Sequence, residues 1–176
     1  DYCENGNIKE YWRNNTGISL ALKLKWLKQI VDTVASLHAL CIFHGDLKPE
    51  NCVLNDKLDV VLCDFNSAIQ LDSCNATTAF SRGSCSFLSP EAIKTNDRGF
   101  PCDVWAIGCL TFELFTHHCP FEAETEYLSM QKVQSNDVTW HSPLQAPDSS
   151  KAPSEHSTAQ DRLFYLLSDL ICRCWN

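Results

Sequence analysis

Apolar residues recur at steps of three and four over a long stretch near the start of the chain. They are Leu20, Leu24, Leu27, Val31, Val34 and Leu37. This spacing puts them on one face of a helix, which we expect to end near His38, before the apolar turn Cys41-Ile42-Phe43. A shorter helix is predicted from Ile8 to Arg13, after the turn at Asn5-Gly6.

Two short apolar runs in the middle of the chain predict a β-hairpin. Cys52-Val53-Leu54 and Val60-Val61-Leu62-Cys63 flank Asn55-Asp56-Lys57, which has the composition of a turn. Residues 66–89 are rich in Ser, Thr, Asn and Ala and show neither a helical nor a strand period. A loop of this length inside a folded domain is usually functional.

Helices are predicted to dominate the second half of the chain. Pro101 opens an apolar helix that reaches about Thr116, and another is expected from Ala123 to Gln134. His141 to Thr158 contains three prolines and five serines and is predicted to be an exposed loop. A final amphipathic helix carries the apolar residues Leu163, Leu166, Leu167, Leu170 and Ile171. The predicted fold class is mainly α with a short β-hairpin, in one domain.

Composition and charge narrow the classes of protein. With 176 residues, 44% of them hydrophobic and 20% charged, the chain is typical of a soluble globular domain. The most apolar stretch, Val104 to Phe115, contains Gly108, Thr111 and Glu113, so it predicts a buried helix and no membrane span. The N-terminus lacks the features of a signal peptide, which favours an intracellular, cytoplasmic protein. A net charge of −8 argues against a nucleic-acid partner.

Cysteine and histidine positions give no sign of a metal site. The eleven cysteines are irregularly spaced, with Cys172 and Cys174 as the closest pair, so reduced and partly buried thiols are expected rather than zinc ligands or a disulfide framework. His117 and His118 suggest a metal pair, but adjacent side chains at a helix end point apart. We therefore expect solvated histidines.

The candidate chemistry lies in residues 44–51, which read His-Gly-Asp-Leu-Lys-Pro-Glu-Asn, and in the dipeptide Asp64-Phe65. Asp46 and Lys48 lie two residues apart, and Asn51 and Asp64 bracket the predicted strand pair. A carboxylate that orients a hydroxyl, a cation for a moving phosphate and oxygen ligands for magnesium are what phosphoryl transfer requires.

These motifs, in this order, resemble those of eukaryotic protein kinases. His44-Gly45-Asp46 stands where that family has His-Arg-Asp, Asp64-Phe65-Asn66 stands for Asp-Phe-Gly, and Ser89-Pro90-Glu91 for Ala-Pro-Glu. Residues 103–108, Asp-Val-Trp-Ala-Ile-Gly, match the start of the central buried helix, and Asp1-Tyr2-Cys3 resembles the hinge. The resemblance implies the C-terminal, larger lobe of a protein kinase domain over residues 1–176.

The resemblance implies a role for each matching residue. Asp46 would orient the substrate hydroxyl, Lys48 would neutralise the γ-phosphoryl group, and Asn51 and Asp64 would hold Mg²⁺ against ATP. Lysine at position 48 is the serine/threonine-kinase form, so the expected partner is a protein substrate with Ser or Thr. The residues assigned to nucleotide binding are Asp1, Cys3, Asn7, Lys48, Glu50 and Val53.

Other matches imply supporting roles. His44 would fix the catalytic loop through backbone hydrogen bonds, and Asp103 would accept hydrogen bonds from backbone donors of that loop. Trp105 would pack under the Ser-Pro-Glu segment. Phe65 would pack beside the metal site, and Ser84 would brace Asp46 and Lys48.

Departures from the family pattern keep other interpretations open. Gly45 removes an arginine that binds phosphorylated activation loops, so we expect activity that does not require phosphorylation of Ser73, Thr77, Thr78 or Ser81. Asn66 replaces a glycine but tolerates left-handed backbone angles. Both changes favour an alternative hypothesis, an inactive kinase-like module that binds partners, but such a module would more often lose Asp46, Asn51 or Asp64 as well. Small-molecule phosphotransferases also carry His-Gly-Asp, but they lack the Pro-Glu motif and the 103–108 motif.

The ends of the chain add one expectation. The family's smaller lobe, with its glycine-rich loop and strand lysine, is not among these residues, nor is the arginine that pairs with the glutamate of Ala-Pro-Glu. We therefore expect a partial domain, too truncated for efficient turnover by itself, in which Glu91 is a buried carboxylate without its partner.

Overall fold

The computed structural model describes residues 3–73, 76–79, 85–146 and 157–175. Helices dominate these ranges, as the sequence predicts. The α-helices are α1 (Ile8–Asn14), α2 (Leu20–Ala39), α3 (Pro90–Lys94), α4 (Phe100–Thr116), α5 (Glu126–Ser135) and α6 (Ala159–Cys174). The strands are β1 (Ile42–Phe43), β2 (Cys52–Leu54), β3 (Val60–Leu62), β4 (Ile69–Gln70), β5 (Thr78–Ala79) and β6 (Asp97–Arg98). Short 3-10 helices cover Pro49–Asn51, Phe65–Ser67 and Cys85–Phe87.

Helix ends follow the capping residues. The predictions for α1, α2 and α4 are confirmed within one or two residues. The side chain of Ser19 accepts a hydrogen bond from the backbone N–H of Leu22, which defines the start of α2. The predicted start of α5 at Ala123 is wrong. Thr125 caps this helix by accepting from the N–H of Leu128, so the helix begins at Glu126.

The predicted hairpin is confirmed in antiparallel register, with Cys52 opposite Leu62 and Leu54 opposite Val60. Cys63 lies just beyond the strand.

The prediction that residues 66–89 lack regular structure is wrong in part. Within that stretch β4 pairs with β1, and β5 pairs with β6. Strands of two residues are too short for a period to appear in the sequence, and their partners are distant along the chain. Residues 74–75 and 80–84 lie outside the described part.

The core is built around α4, of which fourteen of the seventeen residues are buried. The rings of Trp105 and Phe121 stack with centroids 5.4 Å apart, and the ring of Trp175 lies 6.0 Å from that of Trp105. A Cβ on Gly108 would come within 2.7 Å of Nε1 of Trp175, so the close approach of α4 and α6 requires glycine here.

The last helix is amphipathic, but only part of its predicted apolar face is buried. Leu167 and Ile171 are buried against the core, whereas Leu166 is 61% exposed and Leu170 is 42% exposed. The spacing of the leucines therefore predicts the helix correctly, but it does not predict how many of them are buried. The loop predicted from His141 lacks helix and strand as far as residue 146, and residues 147–156 lie outside the described part.

Two further findings concern exposure and cysteine state. Glu91 is exposed, so the expectation of a buried carboxylate is wrong; the thiol of Cys102 donates to its Oε1 at 3.3 Å. The following cysteines are free thiols: Cys3, Cys41, Cys52, Cys63, Cys102, Cys109, Cys119, Cys172 and Cys174. None of the helices in the described ranges combines the length and the apolar composition that a membrane crossing requires.

Candidate active site

Asp46 is the centre of a compact polar cluster in the loop between β1 and the Pro49–Asn51 turn. Lys48 donates from Nζ to Oδ2 of Asp46 at 2.6 Å. Asn51 donates from Nδ2 to the same Oδ2 at 3.0 Å and to the backbone carbonyl of Asp46 at 2.8 Å. Both side chains of the ion pair are largely buried. Two of the candidate site residues from the sequence, Lys48 and Asn51, thus each contact a third, Asp46, directly.

The loop that carries Asp46 is anchored from below by Asp103 of α4. The carboxylate of Asp103 accepts from the backbone N–H of His44 at 2.9 Å and of Gly45 at 3.0 Å. Nε2 of His38, on α2, lies 2.8 Å from Oδ2 of Asp103. Asp103 is buried, so these partners offset the cost of removing its charge from water. The expected anchoring of the loop by Asp103 is confirmed.

His44 is a buried part of the scaffold. Its ring lies against the ring of Phe65, with centroids 4.9 Å apart, and its Nδ1 accepts from the backbone N–H of Asp46 at 3.3 Å. Desolvation lowers the pKa of His44, which favours the neutral ring. This geometry agrees with the expectation that His44 fixes the loop.

The two predicted metal ligands lie on adjoining segments. The backbone N–H of Cys63 donates to the carbonyl of Asn51 at 3.0 Å, which brings the residue before Asp64 next to Asn51. The Nδ2 of Asn51 donates to Asp46, so Oδ1 is the atom of this side chain that could coordinate a cation. Asp64 is exposed and accepts at Oδ1 from Nδ2 of Asn66 at 2.7 Å. One amide and one carboxylate oxygen suit Mg²⁺, which keeps several waters and shares phosphate oxygens.

His117 and His118 each have a different neighbour in the structure. Nε2 of His117 lies 3.2 Å from Nζ of Lys23, and the His118 ring stacks on that of His141 at 4.0 Å. Burial, Lys23 and His118 lower the pKa of His117. Both residues are exposed, as the sequence predicts, and among the described residues no cluster of three His, Cys, Asp or Glu has the arrangement of a metal site.

Most residues assigned to the nucleotide lie around β2. Asn7 forms an antiparallel bridge with Val53, and the N–H of Leu54 donates to the carbonyl of Gly6 at 2.9 Å. Cys3 is half-buried at the start of this segment. Asp1 and Ser84 lie outside the described residues.

Two of these side chains have structural partners as well. Asn7 is the N-cap of α1, since its Oδ1 accepts from the N–H of Glu10 at 2.9 Å. Glu50 accepts at Oε1 from Nζ of Lys9 at 2.6 Å. Their expected contacts with a nucleotide therefore stay predictions.

Comparison with known proteins agrees with this geometry. The protein kinase domain matches over residues 1–176. The chain belongs to the protein kinase family. It is 36% identical over 146 residues to serine/threonine-protein kinase PKH1 of Saccharomyces cerevisiae, an alignment that covers 76% of this chain and 19% of that protein. It is 33% identical over 134 residues to 3-phosphoinositide-dependent protein kinase 1 of Rattus norvegicus, covering 75% of this chain and 24% of the relative. A third relative, serine/threonine-protein kinase PKH2 of Saccharomyces cerevisiae, is 29% identical over 144 residues, or 76% of this chain and 13% of the relative. This kinase-family chain therefore spans less than a quarter of the length of these curated relatives.

Sequence reasoning missed an ion-pair cluster beside the site of this kinase-family chain. Nζ of Lys9 lies 2.6 Å from Glu50 and 3.2 Å from Oε1 of Glu113, a buried residue of α4. The signal was present in the sequence, because Glu113 is a charge inside an otherwise apolar helix. Its partner was not visible, since Lys9 is more than a hundred positions away.

A second missed residue is Arg98 of β6. Its side chain is buried, and it lines a cavity of about 20 Å³ behind the loop that carries Asp46, together with Gly45 and Cys102. Desolvation lowers the pKa of Arg98. A surface arginine would be the default expectation for the segment Asp97–Arg98, but Arg98, on the strand that pairs with β5, is buried in the structure.

Proposed function

We propose that residues 1–176 are most of the larger lobe of a serine/threonine protein kinase domain. The intact protein would transfer the γ-phosphoryl group of ATP to a serine or threonine hydroxyl of a protein substrate. The observation that carries the proposal is the cluster of Asp46, Lys48 and Asn51, held by Asp103. The serine/threonine class rests on Lys48 in its motif and on the similarity to serine/threonine-protein kinase PKH1.

In this proposal, Asp46 accepts a hydrogen bond from the substrate hydroxyl and orients its oxygen toward phosphorus. Lys48 and Asn51 both donate to Oδ2 of Asp46, and these two hydrogen bonds fix the plane of the carboxylate. Because the orientation of the carboxylate is already fixed, little conformational entropy is lost when it reaches the reactive geometry. Asp46 would then take up the hydroxyl proton as the bond from the hydroxyl oxygen to the γ-phosphorus forms and the bond from that phosphorus to the bridging oxygen breaks, with ADP as the leaving group.

Lys48 is the cation that contacts Asp46, the residue proposed to orient the substrate hydroxyl. Its ammonium lies 2.6 Å from Asp46, so a phosphoryl group approaching the hydroxyl comes within reach of Nζ. Neutralising charge on the phosphoryl oxygens is the main work that a protein does in this reaction.

Magnesium and ATP complete the proposed site. Asn51 and Asp64 would hold Mg²⁺, which supplies charge neutralisation to the phosphates when bound. Cys3, Asn7, Glu50 and Val53 would border the nucleotide with Asp1 and Lys48. An intracellular location and a protein substrate follow from this function and are proposed with it.

An inactive binding module is the second candidate, and Gly45 and Asn66 are the observations that favour it. An exchange at Asp46 separates the two. The full-length protein that contains this chain is assayed with labelled ATP and peptide libraries that have only Ser, Thr or Tyr as acceptor. We expect Ser/Thr phosphorylation that Asp46→Asn lowers by about 10²-fold or more.

The matched control is Asp56→Asn, the same change at an exposed turn residue of the hairpin, which should keep wild-type turnover. Equal activity in Asp46→Asn and wild type would refute Asp46 as the base. A wild-type protein that binds its partners but transfers no phosphate would favour the binding module.

A further inference from the structure

Lys9 connects three elements around the proposed site. Its Nζ lies 2.6 Å from Oε1 of Glu50 in the Pro49–Asn51 turn and 3.2 Å from Oε1 of Glu113 on α4. Glu113 is only 4% exposed. One ammonium therefore serves two carboxylates that lie 63 positions apart in the sequence.

The cluster is held by charge and not by a full set of hydrogen bonds. Within the described residues, Oε2 of Glu50 and Oε2 of Glu113 are buried and have no hydrogen-bond partner. Desolvation raises the pKa of Glu113, although Lys9 acts in the opposite direction. The pKa of Lys9 is raised as well: desolvation lowers it, but Glu50 and Glu113 together outweigh that effect. Removal of the ammonium would leave the buried carboxylate of Glu113 without a counter-charge, next to the partly exposed carboxylate of Glu50.

The position of Lys9 along the chain gives this cluster a mechanical consequence. Lys9 is two residues after Asn7, the N-cap of α1, and Glu50 directly precedes Asn51. The Lys9–Glu50 contact therefore ties the segment around Asn7, which is assigned to the nucleotide, to the Pro49–Asn51 turn. This turn carries Asn51, which is both the proposed metal ligand and a hydrogen-bond partner of Asp46. Glu113 fixes this tie to the most buried helix of the structure.

We propose that Lys9 is a positioning residue, which clamps α1 and the Pro49–Asn51 turn together on α4 and so sets the spacing between the nucleotide segment and Asn51. The clamp itself follows from the contacts. Its effect on ATP rests on the proposed function.

Hydrogen exchange tests the clamp without reference to activity. The reporters are the amide of Asn51, which donates to the carbonyl of Lys48, and the amide of Cys63, which donates to Asn51. In the full-length protein, Lys9→Met should speed exchange at both amides by about tenfold or more, whereas Lys9→Arg should stay near wild type because a guanidinium can reach both carboxylates. Lys25→Met, which breaks the more exposed pair of Lys25 with Asp59, is the control and should leave both amides unchanged.

A double variant separates positioning from simple loss of stability. Lys9→Met leaves Glu113 buried and unpaired, and adding Glu113→Gln removes that charge. We expect Lys9→Met/Glu113→Gln to recover the urea midpoint of the wild type while exchange at Asn51 and Cys63 stays fast. If the double variant recovered both the urea midpoint and slow exchange at Asn51 and Cys63, the clamp would be overturned. Unchanged exchange in Lys9→Met would overturn it as well.

The consequence for nucleotide is measured as affinity for Mg–ATP by calorimetry on the same variants. Lys9→Met and the double variant should weaken binding by about 3- to 10-fold, and Lys9→Arg should not. Unchanged affinity with fast exchange would overturn the link from clamp to nucleotide. Absence of Mg–ATP binding by the wild type would instead refute the proposed function, and the exchange data would still decide the clamp.

Discussion

At the scale of single residues, Gly45 shows how a departure from the family pattern depends on its surroundings. Its φ is +80°, and a Cβ built there would lie 2.8 Å from the carbonyl oxygen of Ser67 and 3.0 Å from the ring of Phe43. Position 45 therefore disfavours any side chain in this structure. Gly45 stands where the family pattern has an arginine, and here the backbone has a conformation that glycine alone adopts without strain.

Gly45→Ala should lower the free energy of unfolding by about 1–3 kcal/mol, through backbone strain and the contacts of the added Cβ. The matched control is Gly17→Ala. Gly17 has a φ of +78° but no atom within 4 Å of the added Cβ, so it shares the strain and lacks the contacts. Urea denaturation measures both, and an equal loss at the two positions would show that the contacts with Ser67 and Phe43 contribute nothing.

At the scale of elements, α1 combines a structural and a proposed functional role in its first residues. Asn7 and Glu10 form a capping box, in which Oδ1 of Asn7 accepts from the N–H of Glu10 and Oε2 of Glu10 accepts from the N–H of Asn7. The cap uses only the carbonyl oxygen of the Asn7 side chain. Its amide group is the part that remains for a nucleotide.

Substitutions at Asn7 separate these two roles. Asn7→Ala removes the cap and should cost about 1 kcal/mol of stability, whereas Asn7→Asp keeps an acceptor and should cost much less. Both remove the amide donor, so both should weaken Mg–ATP binding if Asn7 contacts the nucleotide. Thermal denaturation and calorimetry report the two effects. Wild-type affinity in Asn7→Asp would remove Asn7 from the nucleotide site.

At the scale of the whole molecule, the loop that carries Asp46 is held by the core. Asp103 on the buried helix α4 accepts from the backbone of His44 and Gly45, and His38 of α2 lies against the same carboxylate. The residues that make these contacts lie outside the segment 66–89, which contains the possible phosphorylation sites Ser73, Thr77, Thr78 and Ser81. The arrangement of Asp46 therefore has a support that phosphorylation does not supply.

Phosphatase treatment of the active full-length protein should accordingly change its turnover by less than about twofold. Mass spectrometry verifies the removal of phosphate from Ser73, Thr77, Thr78 and Ser81, and a mock-treated sample is the control. Loss of most activity on dephosphorylation would contradict the prediction. It would indicate a phosphate-binding cation elsewhere, with Arg98, which pairs across the sheet with Thr78, as the first residue to substitute.

The sequence by itself determined the features that depend on neighbouring residues. Steps of three and four apolar positions located α2, an apolar run after Pro101 located α4, turn residues located the hairpin, and the motif order marked Asp46, Lys48, Asn51 and Asp64 as candidate site residues. Such features follow from local backbone geometry and from side chains close in the chain, so the order of residues carries them.

Only the tertiary structure decided the features that depend on distant partners. The two-residue strands β1 and β4 exist because they pair with each other, and Leu166 and Leu170 stay exposed because the core meets only one side of α6. The cluster of Lys9, Glu50 and Glu113 forms because folding brings together three segments that share no local pattern. Pairing and burial are properties of contacts between segments, and a single sequence does not state which segments will meet.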